Sequence, residues 1–275
     1  MQRRTLSPTF PTDGGNMKKV AFSTGAFYTF ETADALAKIR KAGFPHAELM
    51  PQCPEDLSPV MLKKAEQIGI HISSIHYPLV YFGVLYNANP GMARESRAFS
   101  DNLAAFAKAA GTEFVVIHPE EEYKDKFVQI LGKPINDNIR YLCEALDKVG
   151  VTVAMENYPS GVGQHPDTLD AYVKALAIPN MKVMVDTTEV IEGGGDPLEF
   201  IRDLENVPCH LHMSDFDEKK HIPIGTGRVD WVSLIALLKN RGYSGYWTLE
   251  PSYKYYLDDP DGQLSRDYEF ISALV

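Results

Sequence analysis

VTVAMEN (151–157), MKVMVD (181–186), PCHLHMSD (208–215) and YWTLEP (246–251) are four short apolar runs with the composition of β-strands. Each carries an ionisable side chain at or near its C-terminal end: Glu156, Asp186, His212 and Glu250, about thirty residues apart. A buried strand end does not tolerate a lone charge, so four such ends in succession imply convergence on a common cation. Strand ends converge in this way when consecutive parallel strands curve into a barrel.

Working outward, the same alternation extends over the rest of the chain. Strand-like runs fall at Val20–Thr24, His46–Met50, Ile70–His76, Phe114–His118, Val151–Glu156, Lys182–Asp186, Pro208–Asp215 and Gly245–Glu250. Between them lie helical patterns at Glu31–Ala42, Pro59–Ile68, Ala93–Ala110, Lys133–Val149, Asp167–Ala177, Pro197–Leu204, Trp231–Arg241 and Ser265–Leu274. Gly43, Gly69, Gly111, Gly150 and Gly242 follow helix ends, where a left-handed residue is favoured, and Asp167 and Asp230 occupy N-cap positions. Eight βα units in 275 residues are the size of a closed (β/α)₈ TIM barrel of the α/β class, folded as a single domain. An open doubly wound sheet is disfavoured because no glycine-rich phosphate turn follows the first strand.

Composition narrows the function. Hydrophobic residues make up 44% of the chain, enough for a large core, and the net charge is −10 with a pI near 5.3. That balance argues against nucleic acid or an anionic membrane as partner, because both require a concentrated basic face. Cys53, Cys143 and Cys209 are scattered, with no CxxC spacing, which fits a cytoplasmic protein. No apolar stretch is long enough to span a bilayer, and MQRRTLSPTFPTDGG lacks the apolar segment of a signal peptide. Residues 1–16 read as a disordered N-terminal tail and 17–275 as the folded barrel.

Three carboxylates and one imidazole form an oxygen-rich donor set that suits one divalent ion, Mn²⁺, Mg²⁺ or Co²⁺, with Zn²⁺ also admitted. Their roughly one excess negative charge favours proton abstraction from a substrate. His210 and His212 share a face of their strand, and His212 is assigned to the centre because it lies nearer the C-terminal end.

At these residues the chain resembles the sugar phosphate isomerase/epimerase superfamily, the xylose isomerase-like barrels that include ketose 3-epimerases, hydroxypyruvate isomerase, inosose dehydratase and endonuclease IV. The likeness runs from Val20 to Glu250. It rests on Glu156-Asn157 after strand five, His212-x-x-Asp215 in strand seven and Glu250 after strand eight, and on His76-x-Pro78, His118-Pro119 and the loop GTGRVDW (225–231). It implies that Glu156, Asp186, His212 and Glu250 hold the metal and that Glu156 and Glu250 double as acid and base. The implied reaction is isomerisation or epimerisation of a sugar, sugar derivative or hydroxy-ketone through a metal-stabilised enediolate. An inosose-type dehydratase on the same scaffold is the close alternative. An endonuclease-like phosphodiesterase and a non-catalytic sugar sensor rank lower.

Where the superfamily has Asp-x-x-His, this chain reads Asp186-Thr187-Thr188-Glu189, and the endonuclease branch's Asp-x-His falls on Lys219 and His221. Losing a ligand at both places counts against a three-metal centre. His76, His118, Glu189, Lys219, His221 and Glu48 are the expected substrate contacts. The sequence leaves phosphate on the substrate open, with the Gly225–Gly227 amides as its candidate cradle. A homodimer is the expected assembly by base rate alone.

Overall fold

A computed structural model describes residues 18–119 and 125–275 and the side chains of all of these except 125–130. The tail expected over residues 1–16 lies outside the described residues.

Nine parallel segments, β1 (Val20–Ser23), β2 (His46–Leu49), β3 (His71–His76), β4 (Phe114–Ile117), β5 (Thr152–Met155), β6 (Met181–Val183), β7 (Val185–Asp186), β8 (Leu211–Met213) and β9 (Trp247–Leu249), pair in the order β6-β5-β4-β3-β2-β1-β9-β8-β7. The two ends of that order, β6 and β7, are separated in the chain only by Met184. They are halves of one strand that changes partner: Met155 aligns with Val183 on one side, and Asp186 with His212 on the other. Cys209 N donates to Val183 O at 2.9 Å and Val185 N to His210 O at 3.3 Å. The ring is therefore an eight-stranded, nearly closed barrel, as the alternation predicts, and its sixth strand is broken.

Among the described residues ten α-helices, α1 (Thr32–Lys41), α2 (Pro59–Ile68), α3 (Phe82–Leu85), α4 (Pro90–Ala110), α5 (Asp125–Asp147), α6 (Pro166–Leu176), α7 (Thr187–Glu192), α8 (Pro197–Asp203), α9 (Trp231–Asn240) and α10 (Pro260–Leu274), surround it. Most are amphipathic. In α1, Ala35, Leu36 and Ile39 repeat at helical spacing and are buried, and each fully buried Leu or Ile is worth about 1.5–3 kcal/mol. The ends follow capping chemistry: Ser58 Oγ accepts from Met61 N, and Gly69 closes α2 at φ +75°, where a side chain would be strained. Asp230 caps α9 as expected. Asp167 does not cap α6: His165 is the N-cap residue, Pro166 opens the helix, and Asp167 lies in its first turn. Proline at the first helical position moves the boundary one residue upstream of the acidic signal.

Candidate metal centre and active site

Strand polarity places the C-terminal ends of β5, β7, β8 and β9 side by side, and with them Glu156, Asp186, His212 and Glu250. One potential ligand atom from each lies within 4.8 Å of every other. His212 Nδ1 is 2.7 Å from Glu156 Oε1, 2.7 Å from Glu250 Oε2 and 4.0 Å from Asp186 Oδ2. His212 is fully buried, and the side chain of Glu250 is 14% exposed at the mouth.

The second ring nitrogen explains the first. His212 Nε2 lies 2.9 Å from Glu48 Oε1, and Glu48 Oε2 is hydrogen-bonded to His210 Nε2 at 3.0 Å. A carboxylate beside Nε2 favours a proton there and leaves Nδ1 as the atom that faces the other acids. Two carboxylate oxygens 2.7 Å from that nitrogen require a positive charge between them, either the second ring proton or a metal ion in its place. Glu156 Oε2 and Asp186 Oδ2 are also buried without a well-formed hydrogen bond, a cost that an ion taking up their lone pairs would offset. The donor set fits a divalent cation of the Mn²⁺, Mg²⁺, Co²⁺ or Zn²⁺ type.

Two further groups have ligand geometry. His76, His118 and Glu156 form one, with His118 Nε2 at 2.9 Å and His76 Nε2 at 3.7 Å from Glu156 Oε2; Glu48, His210 and His212 form the other. His76 is fixed by the contact of its Nδ1 with Tyr77 O at 2.8 Å. Asn157 exchanges two hydrogen bonds with the Asp186 backbone, at 2.6 and 3.2 Å, locking the ends of β5 and β7 in register.

Electrostatics in the centre are those of a zwitterion. Burial alone would push the Glu156 carboxyl up, but His212 and His118 more than offset it and hold it well below the usual range. Burial opposes charge on His212, yet Glu250, Glu48 and Glu156 hold its pKa well above normal. Burial above all, with Glu156 and Glu189, raises Asp186 to about 8 against the opposing pull of His221 and His212. With its carboxylates crowded, the centre draws a positive charge inward.

The cavity over these residues measures about 290 Å³ and is lined by His76, His118, Glu156, Asp186, Glu189, His221 and Glu250 among others. Glu189 Oε1 meets His221 Nε2 at 3.1 Å, and His221 Nδ1 meets Ser214 Oγ at 3.2 Å. Of the expected substrate contacts, His76, His118, Glu189 and His221 are on the wall. Glu48 is not: it is fully buried beneath His212. Lys219 is not on the wall either, and lines a neighbouring depression with Lys220, Lys254, Glu192 and Glu218.

Some of this escaped sequence reading. The Glu48–His210 contact spans 162 residues, and no local signal announces it. The short helix α7 did have one: Asp186 Oδ1 accepts from Thr188 N and Glu189 N at 2.6 and 3.0 Å. Asp-Thr-Thr-Glu is an N-terminal helix signature, and it aims one Asp186 oxygen at the helix while leaving the other for the centre.

The fold and site define a class: a (β/α)₈ barrel with a carboxylate and histidine cluster, of metal-ligand geometry, at its C-terminal mouth. The chain belongs to the xylose isomerase-like TIM barrel family, whose model matches residues 36–274. An uncharacterized protein of Methanocaldococcus jannaschii is 27% identical over 150 residues, an alignment covering 50% of each chain, so the match spans half the length of that relative. Among solved structures, a D-tagatose 3-epimerase-like protein superposes with a TM-score of 0.75 at 19% identity, covering 93% of this chain and 96% of that one. D-psicose 3-epimerase from Clostridium cellulolyticum H10, solved with D-tagatose, gives 0.74 at 17% identity over 93% and 99%. At that identity the likeness concerns the fold. No described helix is long and apolar enough to cross a membrane.

Proposed function

We propose that the protein is a cytoplasmic, divalent-metal-dependent isomerase or epimerase that moves a proton on a sugar or sugar derivative through an enediolate. The observation that carries this reading is the pair Glu156 and Glu250, each with a carboxylate oxygen 2.7 Å from the same His212 nitrogen. Both carboxylates reach one small volume at the floor of the cavity, where removal of a proton from one face of a carbon and its return to the other would call for two such groups. The neighbouring solved ketose 3-epimerases have the same fold and support the reading.

Glu156, Asp186, His212 and Glu250 would hold the ion, with Glu48 and His210 fixing His212 from below. When bound, the ion would polarise the substrate carbonyl and hold the charge that develops on its oxygen. Glu156, kept ionised by His212 and His118, is in the proton-free form that a base requires at neutral pH. Glu250, at the mouth, serves as its counterpart. His76 and His118, 3.1 Å apart through their Nε2 atoms, and the Glu189–His221 pair offer polar contacts to substrate oxygens. The substrate is a small molecule, and a homodimer is the expected assembly.

The test is solvent exchange. Metal-loaded protein is incubated with ketopentoses and ketohexoses in D₂O, and the hydrogen next to the carbonyl is followed by NMR. Deuterium entering without loss of water is the expected result. Loss of water would instead assign the dehydratase reaction. No exchange with Mn²⁺, Mg²⁺, Co²⁺ or Zn²⁺ across the panel overturns the reading.

A further inference from the structure

The GTGRVDW loop, Gly225–Trp231, is the stretch whose backbone amides could cradle a substrate phosphate, and it already holds an anion. Asp215, fully buried, accepts through Oδ2 from Gly225 N at 2.9 Å and Trp231 Nε1 at 2.9 Å. Its Oδ1 accepts from Phe216 N at 2.9 Å and Val229 N at 3.0 Å. A Cβ on Gly227 would meet Asp215 Oδ1 at 2.4 Å, so the loop is wrapped around this carboxylate with no room to spare. The nest is filled from within the protein.

The cavity wall gives the same answer. Four carboxylates face it, Glu156, Asp186, Glu189 and Glu250, and among the described residues no lysine or arginine lines it. Its three histidines each face a carboxylate already: His76 and His118 meet Glu156, and His221 meets Glu189. The nearby Lys219, Lys220 and Lys254 belong to a separate depression, where Lys220 is paired with Glu192 at 2.8 Å. Even with a divalent ion at the centre, a phosphoryl dianion would add two negative charges to a wall with no basic side chain free to meet them.

Glu189 gives this wall a positive preference. Its Oε1 is engaged by His221, and the ring is held from behind by Ser214 Oγ, itself 2.7 Å from Thr188 Oγ1. Glu189 Oε2 has no hydrogen-bond partner among the described residues. A carboxylate oxygen fixed in this way accepts from a hydroxyl and repels an anion.

We propose that the pocket takes an uncharged polyhydroxy-carbonyl compound, a free rather than a phosphorylated sugar, and that Glu189, positioned by His221, is the residue that enforces the choice. This rests on the proposed isomerase or epimerase reading and narrows it.

The experiment uses metal-loaded full-length protein with two matched pairs of probes: D-fructose against D-fructose 6-phosphate, and D-ribulose against D-ribulose 5-phosphate. Deuterium exchange gives kcat/KM for each, and competition gives affinity. The free ketose is expected to win by at least about tenfold in one or both pairs. Glu189→Gln is expected to narrow that ratio at least about fivefold through KM, with metal binding retained, and Glu189→Asp to recover part of it. Phosphate esters handled equally well or better, or a ratio unmoved by Glu189→Gln, overturn the proposal. Exchange with esters alone leaves the isomerase or epimerase reading standing and sinks only this inference; no exchange with any probe sinks both.

Discussion

The two ends of the barrel bury histidines in opposite electrical states. At the C-terminal mouth, His212 is surrounded by Glu48, Glu156 and Glu250, and these hold its pKa well above normal despite complete burial. At the N-terminal end, His46 and His71 meet through their Nδ1 atoms at 3.2 Å, beneath Tyr246. There burial lowers His46 to about 4, and His71 and Lys19 push the same way. One residue type thus serves as a charged hub where acids converge and as neutral packing where burial outweighs the nearby Glu113. A buried histidine becomes informative through the carboxylates that share its space.

Metal removal is the harshest test of that contrast. Chelation is expected to abolish activity and to be reversed by Mn²⁺, Mg²⁺ or Co²⁺. Metal restored at a hundred times its Kd stabilises the folded state by about 2.7 kcal/mol, which thermal denaturation reads as roughly 5–10 °C. A chelated protein with undiminished turnover and an unmoved midpoint would mean that the mouth, like the far end, is only packing.

Glu250→Gln keeps the shape of the side chain while removing a charge from the proposed ligand set and one of the two proposed proton-transfer groups. A loss of roughly 10²–10⁴ in kcat is expected, with circular dichroism unchanged. A variant within threefold of wild type would show that Glu156 and Glu250 do not share the work.

Glu48→Gln reaches the centre from below without touching the cavity wall. It withdraws the carboxylate that fixes the Nε2 proton of His212, so divalent-metal affinity by calorimetry should fall about 10–100-fold. Equal affinity would leave Glu48 as filler.

Much of the fold was legible because its signals are local. Strand and helix alternation is written in neighbouring residues, and so are the acids that end β5, β7 and β9. What failed to show depends on closure. The break at Met184 arises because β6 and β7 pair with different partners. Glu48 approaches His210 and His212 only once the ring forms. Glu48 was expected on the wall because a strand-end acid in a barrel faces the mouth, but its carboxylate is buried between His210 and His212, 3.0 and 2.9 Å from their Nε2 atoms, and does not line the cavity. Lys219 misses the pocket because the chain turns back after Asp215, which pairs with Ile222, and carries His221 inward in its place.

The far end supplies the last and mildest test. His46 has a folded pKa of about 4 against the ordinary 6.5, so the protein prefers it neutral. Its contribution is intact above pH 6.5 and is lost as pH falls from there through 4. The full shift corresponds to about 3 kcal/mol at most, since part of the ring reaches solvent. Urea midpoints measured from pH 7.5 to 4 should therefore fall more steeply for the wild type than for His46→Gln, which has no proton to gain. At pH 7.5 the same variant should keep kcat within about twofold and its metal affinity unchanged, because no step at the mouth depends on this residue. A His46→Gln protein that lost metal affinity would mean that the two ends are coupled through the barrel interior, where His210 stacks on Phe114 with centroids 5.2 Å apart, and the division drawn between them would fail.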